Sequence, residues 1–235
     1  MPMKQALILT DSVGAPRGSP VRTVYRDTWV AKVSAYLYSN NIEPFAFTDR
    51  GLNSTKFIQK IEQQFRLYEA DIVILQVGVT DLNSRLLTES EKQFYNRLRR
   101  FSFLNNIINH HLERRSKYYR ARNLMEIDFE TAERNLARAK SLLGEPYIFI
   151  VPVVMAPKGI DIKLGGFHDR IKNYNRLLQK VFCEDKHIFI EEWQKTSSET
   201  IEEIYSKDHY HLTLEGHALL ADVVMKSLQR HLKDN

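Results

Sequence analysis

An α/β fold with a central five-stranded parallel sheet is predicted for this chain on three observations. Five short apolar runs, at 5–9, 44–47, 71–77, 147–154 and 187–190, are rich in Ile, Val and Phe. Several are apolar throughout rather than alternating, as strands covered on both faces are. Helical patterns lie between them, and strand–helix alternation of this kind puts helices on both faces of a parallel sheet.

Taken in order, the first run ends in Thr10-Asp11-Ser12-Val13-Gly14, residue types that equally suit a plain tight turn. A helix follows from about Tyr25 to Ser39, with Trp29, Val33, Tyr36 and Leu37 on one side. The second run leads through "TDRGLNST" at 48–55 into a helix from Ser54 to Tyr68, whose apolar set is Phe57, Ile58, Ile61, Phe65 and Leu67. The third run is followed by "GVTDLNSR" at 78–85. The spacing then breaks, since about seventy residues precede the strand near Pro146, far more than one crossover helix needs. "ESEKQFYNRLRRFSFLNNIINHHLERRSKYYRAR" and "DFETAERNLARAKSLL" both look helical, which makes the excess a helical insertion at about 86–143. Helices are expected again at 168–182 and 213–232. No repeat, low-complexity tract or linker divides the chain, so residues 1–235 read as a single domain.

Composition narrows the function classes. With 43% apolar and 11% aromatic residues in 235, the chain can build a substantial core and is not disordered. No run approaches the ~18 apolar residues of a membrane span, and the start, "MPMKQALILTDS", lacks the pattern of a secretory leader. A cytoplasmic location is the expectation, in keeping with the single Cys183, which cannot form an internal disulfide. Cys183 follows Val181-Phe182 and is expected to be buried and inert. The formal charge is +5, with Arg97, Arg99, Arg100, Arg114, Arg115, Lys117, Arg120 and Arg122 crowded into a stretch where Glu113 is the only acid. That stretch suits a solvated helical face, a lid or a surface for homo-oligomers. Its mix of arginines and aromatics has no nucleic-acid fold signature beside it, so nucleic acid is not an expected partner.

In parallel α/β sheets ligands sit beyond the carboxyl ends of the strands. Three polar clusters follow predicted strands, and a fourth, "KDHYH" at 207–211, precedes the last helix. Within the fourth, Asp208 and His211 at i and i+3 fall on one side of a tight turn. There a carboxylate can fix the imidazole tautomer and support the imidazolium that forms in catalysis. Two other readings stand beside this one: a helix entry capped by Asp208 or Thr213, and a metal site made by Asp208, His209 and His211. Ser12 at the first strand–helix junction is a candidate nucleophile, and its N–H a candidate oxyanion donor. Gly51 can bring a bare backbone N–H close to a substrate. The third cluster offers Thr80, Asn83 and Arg85.

This ordered set resembles the SGNH, or GDSL-type, esterases and acylhydrolases. Ser12 in "TDSVG" matches the family's "GDS" serine, and Gly51 in "RGLNST" its second-block glycine. "GVTD" at 78–81 stands where the family has "GxND", and "DHYHLTLEGH" at 208–217 matches the final "DxxH" block. The resemblance implies a flavodoxin-like three-layer α/β/α sandwich and a Ser12–His211–Asp208 triad. It implies an oxyanion hole from Ser12, Gly51 and Thr80, with Asn83 as an alternative to Thr80, and needs no metal or organic cofactor. The expected substrate-binding residues are Asp11, Arg17 and Arg85. Arg17 and Arg22, in the loop after Ser12, also suit an acidic sugar or phosphate.

The sequence departs from the family pattern at two places. Thr10 replaces the first-block glycine, and Thr80 replaces the third-block Asn whose amide donates to the oxyanion. Loss of such a donor typically costs ~3 kcal/mol in the transition state. A looser similarity, a "G-x-x-D" block with an arginine soon after, links the chain to SGNH-like proteins of surface-polysaccharide synthesis. The expected function is hydrolysis of an O-acyl ester, O-acetyl first, on a carbohydrate. The alternatives are an O-acyltransferase on a surface-glycan precursor and a non-catalytic glycan-binding protein.

Overall fold

The computed structural model describes residues 3–19, 22–65, 67–85, 87–98, 124–155, 157 and 166–233. Its strands are β1 (Lys4–Thr10), β2 (Ile42–Thr48), β3 (Ile72–Gln76), β4 (Tyr147–Ile150) and β5 (His187–Phe189). All neighbours pair in parallel, in the order β2-β1-β3-β4-β5. The predicted five-stranded parallel sheet is thus present, with the strand order of flavodoxin-like folds.

Alternation along β1 explains why its run is continuously apolar. Leu7 and Leu9 face one layer, with Phe57, Ile61, Leu136, Ile171 and Leu178, while Ala6 and Ile8 face the other, with Trp29, Val33, Leu37, Leu220 and Val224. Both faces of the strand are therefore buried, and the helices form the outer two layers of an α/β/α sandwich.

The helices follow local chemistry. Thr28 caps α1 (Trp29–Ser39) by accepting from the Ala31 N–H at 3.2 Å, so the helix begins four residues later than predicted, after a 3₁₀ turn at Tyr25–Asp27. Asn53 caps α2 (Ser54–Lys60), which widens into a π turn at Ile61–Phe65 and ends there. Leu67, expected on the apolar face of that helix, lies past its end and is exposed. A short α3 (Val79–Leu82) follows β3. Of the expected insertion, α4 (Glu89–Leu98) and α5 (Phe129–Leu143) are described, and α5 packs on α2. The basic stretch from Arg99 to Arg122 lies outside the described residues. After β4 come α6 (Phe167–Val181), α7 (Glu191–Gln194), α8 (Ser198–Ile204) and α9 (Leu214–Lys233). The short α3, α7 and α8 carry too few turns to leave a helical period in the sequence.

Cys183 corrects the sequence reading. Phe182 ends α6 with its side chain in the core, and the chain then turns outward, so the thiol is exposed.

Candidate active site

The register brings three strand ends level: Thr10 of β1 pairs with Thr48 of β2 and Gln76 of β3. Ser12, Gly51 and Thr80 leave from these ends within four residues, so adjacent parallel strands present their three loops side by side. The crevice between β1 and β3, where the strand order reverses, is the expected ligand position in such sheets.

Ser12 opens a 3₁₀ turn, Ser12–Gly14. Asp11 caps that turn, its Oδ1 accepting from the Val13 N–H at 2.9 Å, while its own N–H donates to the Gln76 carbonyl at 3.2 Å. Asp11 is fully buried, and burial, aided by the charge of Asp81, raises its carboxyl to about 7. It shapes the turn beneath the serine from a fully buried position.

His211 joins the two ends of the chain. Its Nε2 lies 3.1 Å from Ser12 Oγ, and its Nδ1 lies 2.9 Å from Asp208 Oδ2. An ionised carboxylate only accepts, so Nδ1 carries the proton and Nε2 accepts from the Ser12 hydroxyl. Asp208 Oδ1 accepts from Ser206 Oγ at 2.7 Å and from the Tyr210 and His211 N–H groups at 3.0 and 3.1 Å. The turn is tight enough to hold His209 at φ +62°. Thr213, not Asp208, caps α9, accepting from the Gly216 N–H at 3.1 Å. Helix capping and the Asp–His pair are thus separate features. Among the described residues no group of three or more His, Cys, Asp or Glu is arranged to hold a metal ion. Ser206 was not singled out in the sequence, because a serine two residues before an aspartate carries no distinctive signal.

Gly51 sits at φ +74°, and its carbonyl accepts from Lys56 Nζ at 3.2 Å. Neither its N–H nor that of Ser12 donates to a described backbone carbonyl. Thr80, in the first turn of α3, is half-buried. Asn83 lies at the end of that turn, with its N–H on the Thr80 carbonyl at 3.2 Å and its carbonyl accepting from Glu126 at 2.8 Å. Its side-chain Oδ1 is buried with no hydrogen-bond partner among the described residues.

Asp81 secures these loops to one another. Its Oδ1 accepts from the Ser54 N–H at 2.7 Å and its Oδ2 from Tyr174 Oη–H at 2.6 Å, tying the α2 start and α6 to the loop after β3. Burial raises its carboxyl to about 6 against these hydrogen bonds, which favour the ion. Gly78 precedes it at φ +122°, and a Cβ there would lie 2.3 Å from the Tyr174 ring. No other residue fits both the backbone and the space.

The arginines are distributed differently from expectation. Arg85 forms a two-point ion pair with Glu126, Nε to Oε2 and Nη2 to Oε1. Antiparallel pairing of 83–85 with 124–126 places the two side chains together, so Arg85 braces the loop. Arg17 bridges to Thr23 through paired backbone hydrogen bonds of 2.8 Å, and its Nη1 lies 3.4 Å from Asp208 Oδ2. Arg22 is exposed.

The fold is shared with known hydrolases. A lipase/acylhydrolase from Enterococcus faecalis superposes with a TM-score of 0.68 at 14% identity, covering 97% of each chain. A member of the lipolytic G-D-S-L family from Veillonella parvula gives 0.63 at 16% identity, over 97% of this chain and 99% of that one. An acetylxylan esterase from Geobacillus stearothermophilus gives 0.60 at 15% identity, over 95% and 93%. No protein-family model matches the sequence, and no curated protein matches it. At these identities the likeness is one of fold.

Proposed function

We propose that this chain is a serine ester hydrolase acting on an O-acyl group, O-acetyl foremost, carried by a carbohydrate. The observation that carries the reading is the continuous hydrogen-bonded line from Ser12 Oγ through His211 to Asp208, at 3.1 and 2.9 Å. His211 Nε2 takes the Ser12 proton as Oγ adds to the ester carbonyl, and Asp208 supports the imidazolium. The Ser12 and Gly51 N–H groups hold the oxyanion, with the Thr80 hydroxyl as a weaker third donor than an amide. The tetrahedral intermediate collapses as His211 returns the proton to the leaving alkoxide. Water, activated by the same imidazole, then releases the acid from Ser12. The carbohydrate substrate is supported by the acetylxylan esterase among the structures that share the fold.

Hydrolysis of 4-nitrophenyl acetate and of an acetylated xylo-oligosaccharide by wild type and Ser12→Ala tests this reading. A loss of about 10³-fold or more in kcat with the fold retained is expected. Turnover unchanged by Ser12→Ala would remove the triad assignment. Acetyl appearing on an added sugar acceptor, in place of acetate release, would identify acyl transfer by the same residues.

A further inference from the structure

The segment after Ser12 is tied to the loops of the site at Pro16 and Arg17. Arg50, on the loop that carries Gly51, donates Nη2 to the Pro16 carbonyl at 3.0 Å. One residue on, Arg17 donates Nη1 to Asp208 Oδ2 at 3.4 Å, the same oxygen that receives the His211 Nδ1 proton. The Arg17 and Asp208 side chains are 24% and 30% exposed, so the contact is screened only in part.

We propose that Arg17 is a positioning residue of the triad, holding Asp208 on the imidazole and keeping His211 unprotonated toward lower pH. The inference rests on the hydrolase reading, in which His211 is the base. A guanidinium beside Asp208 offsets part of the carboxylate charge that would otherwise stabilise the imidazolium. Removing it lets His211 hold its proton more tightly. Among the described residues, the other titratable groups near His211 include Lys207, His209 and Tyr210 beside it in the chain, Asp11 next to Ser12, and Tyr205, whose neighbour in the Tyr205–Leu212 bridge follows His211. Among the described residues, Arg17 is the cation on Asp208 Oδ2, which also holds the His211 ring.

The test compares wild type, Arg17→Gln and Arg17→Lys. In Arg17→Gln the acid limb of kcat/KM for 4-nitrophenyl acetate should move up by about half to one pH unit, by a Coulomb estimate for a partly exposed charge. KM for this neutral ester should change less than about twofold, and Arg17→Lys should return the limb toward wild type. The His211 ring proton, followed by NMR, should titrate with the same shift, whether or not any ester is turned over. A folded Arg17→Gln with an unmoved His211 titration overturns the proposal. An unmoved limb with a raised KM makes Arg17 a substrate anchor instead. A shifted titration in a protein that hydrolyses no ester keeps the Arg17–triad coupling and removes the hydrolase reading.

Discussion

Thr10 and Gly14 share one packing space beneath the turn that carries Ser12. A Cβ added to Gly14 would lie 2.3 Å from Thr10 Cγ2, 2.8 Å from its Oγ1 and 2.8 Å from Val30 Cγ2. Thr10 is fully buried and its hydroxyl donates to Gln76 Oε1, so it cannot swing aside without leaving that bond. The threonine that replaces the first-block glycine of the SGNH pattern is thus accommodated by a glycine one turn later.

Gly14→Ala should therefore destabilise by about 3 kcal/mol, as overpacking of a tight core does. Thr10→Ala removes both threonine contacts at the cost of its hydrogen bond. The double variant should recover at least about 1 kcal/mol relative to the sum of the singles. Urea denaturation of the four proteins measures this, and strict additivity would mean that the two sites do not share space.

Tyr174→Phe should have a pH-dependent cost. The Tyr174 hydroxyl donates to Asp81, whose carboxyl is raised to about 6, so the bond matters most when Asp81 is ionised. A loss of about 1–3 kcal/mol is expected at pH 8, shrinking at pH 5 where the carboxyl is largely protonated. Equal losses at both pH values would place the effect in packing rather than in charge.

His217 should make the fold sensitive to acid. Its Nδ1 accepts from the Trp29 N–H at 3.2 Å at the start of α1, and burial, with Lys32 nearby, lowers its pKa from 6.5 to about 4. The unfolded chain then binds more protons, so this contribution is present above pH 6.5 and is lost as pH falls toward 4, by about 3 kcal/mol in all. Asp11 and Asp81 act oppositely, since their raised carboxyls favour the fold as pH falls over the same range. His217→Asn retains an acceptor that does not titrate. Its stability relative to wild type should rise between pH 7 and pH 4.5, and a constant difference would contradict the buried neutral imidazole.

The sheet was legible in the sequence because burial on both faces leaves uninterrupted apolar runs, as in β1 and β3. The four loop blocks were legible because each is short and local: Asp208 and His211 need only one turn to meet. The surroundings of Asp11 and Arg85 were not legible, because they are set over long distances. Asp11 is enclosed by β3 and by neighbouring loops, and Arg85 meets Glu126 across 41 residues of chain. Nothing near Arg85 in sequence identifies that partner.

The line between Ser12 and His211 spans 199 positions of the chain. Closing a loop of this length costs conformational entropy before the contact repays it, which places the contact at the slow end of assembly by expectation. The first strand and the segment leading into the last helix must both be docked before the serine meets its base. Under the proposed function, recovery of 4-nitrophenyl acetate turnover after dilution from denaturant should follow the slowest refolding phase, which makes turnover a reporter of completed folding.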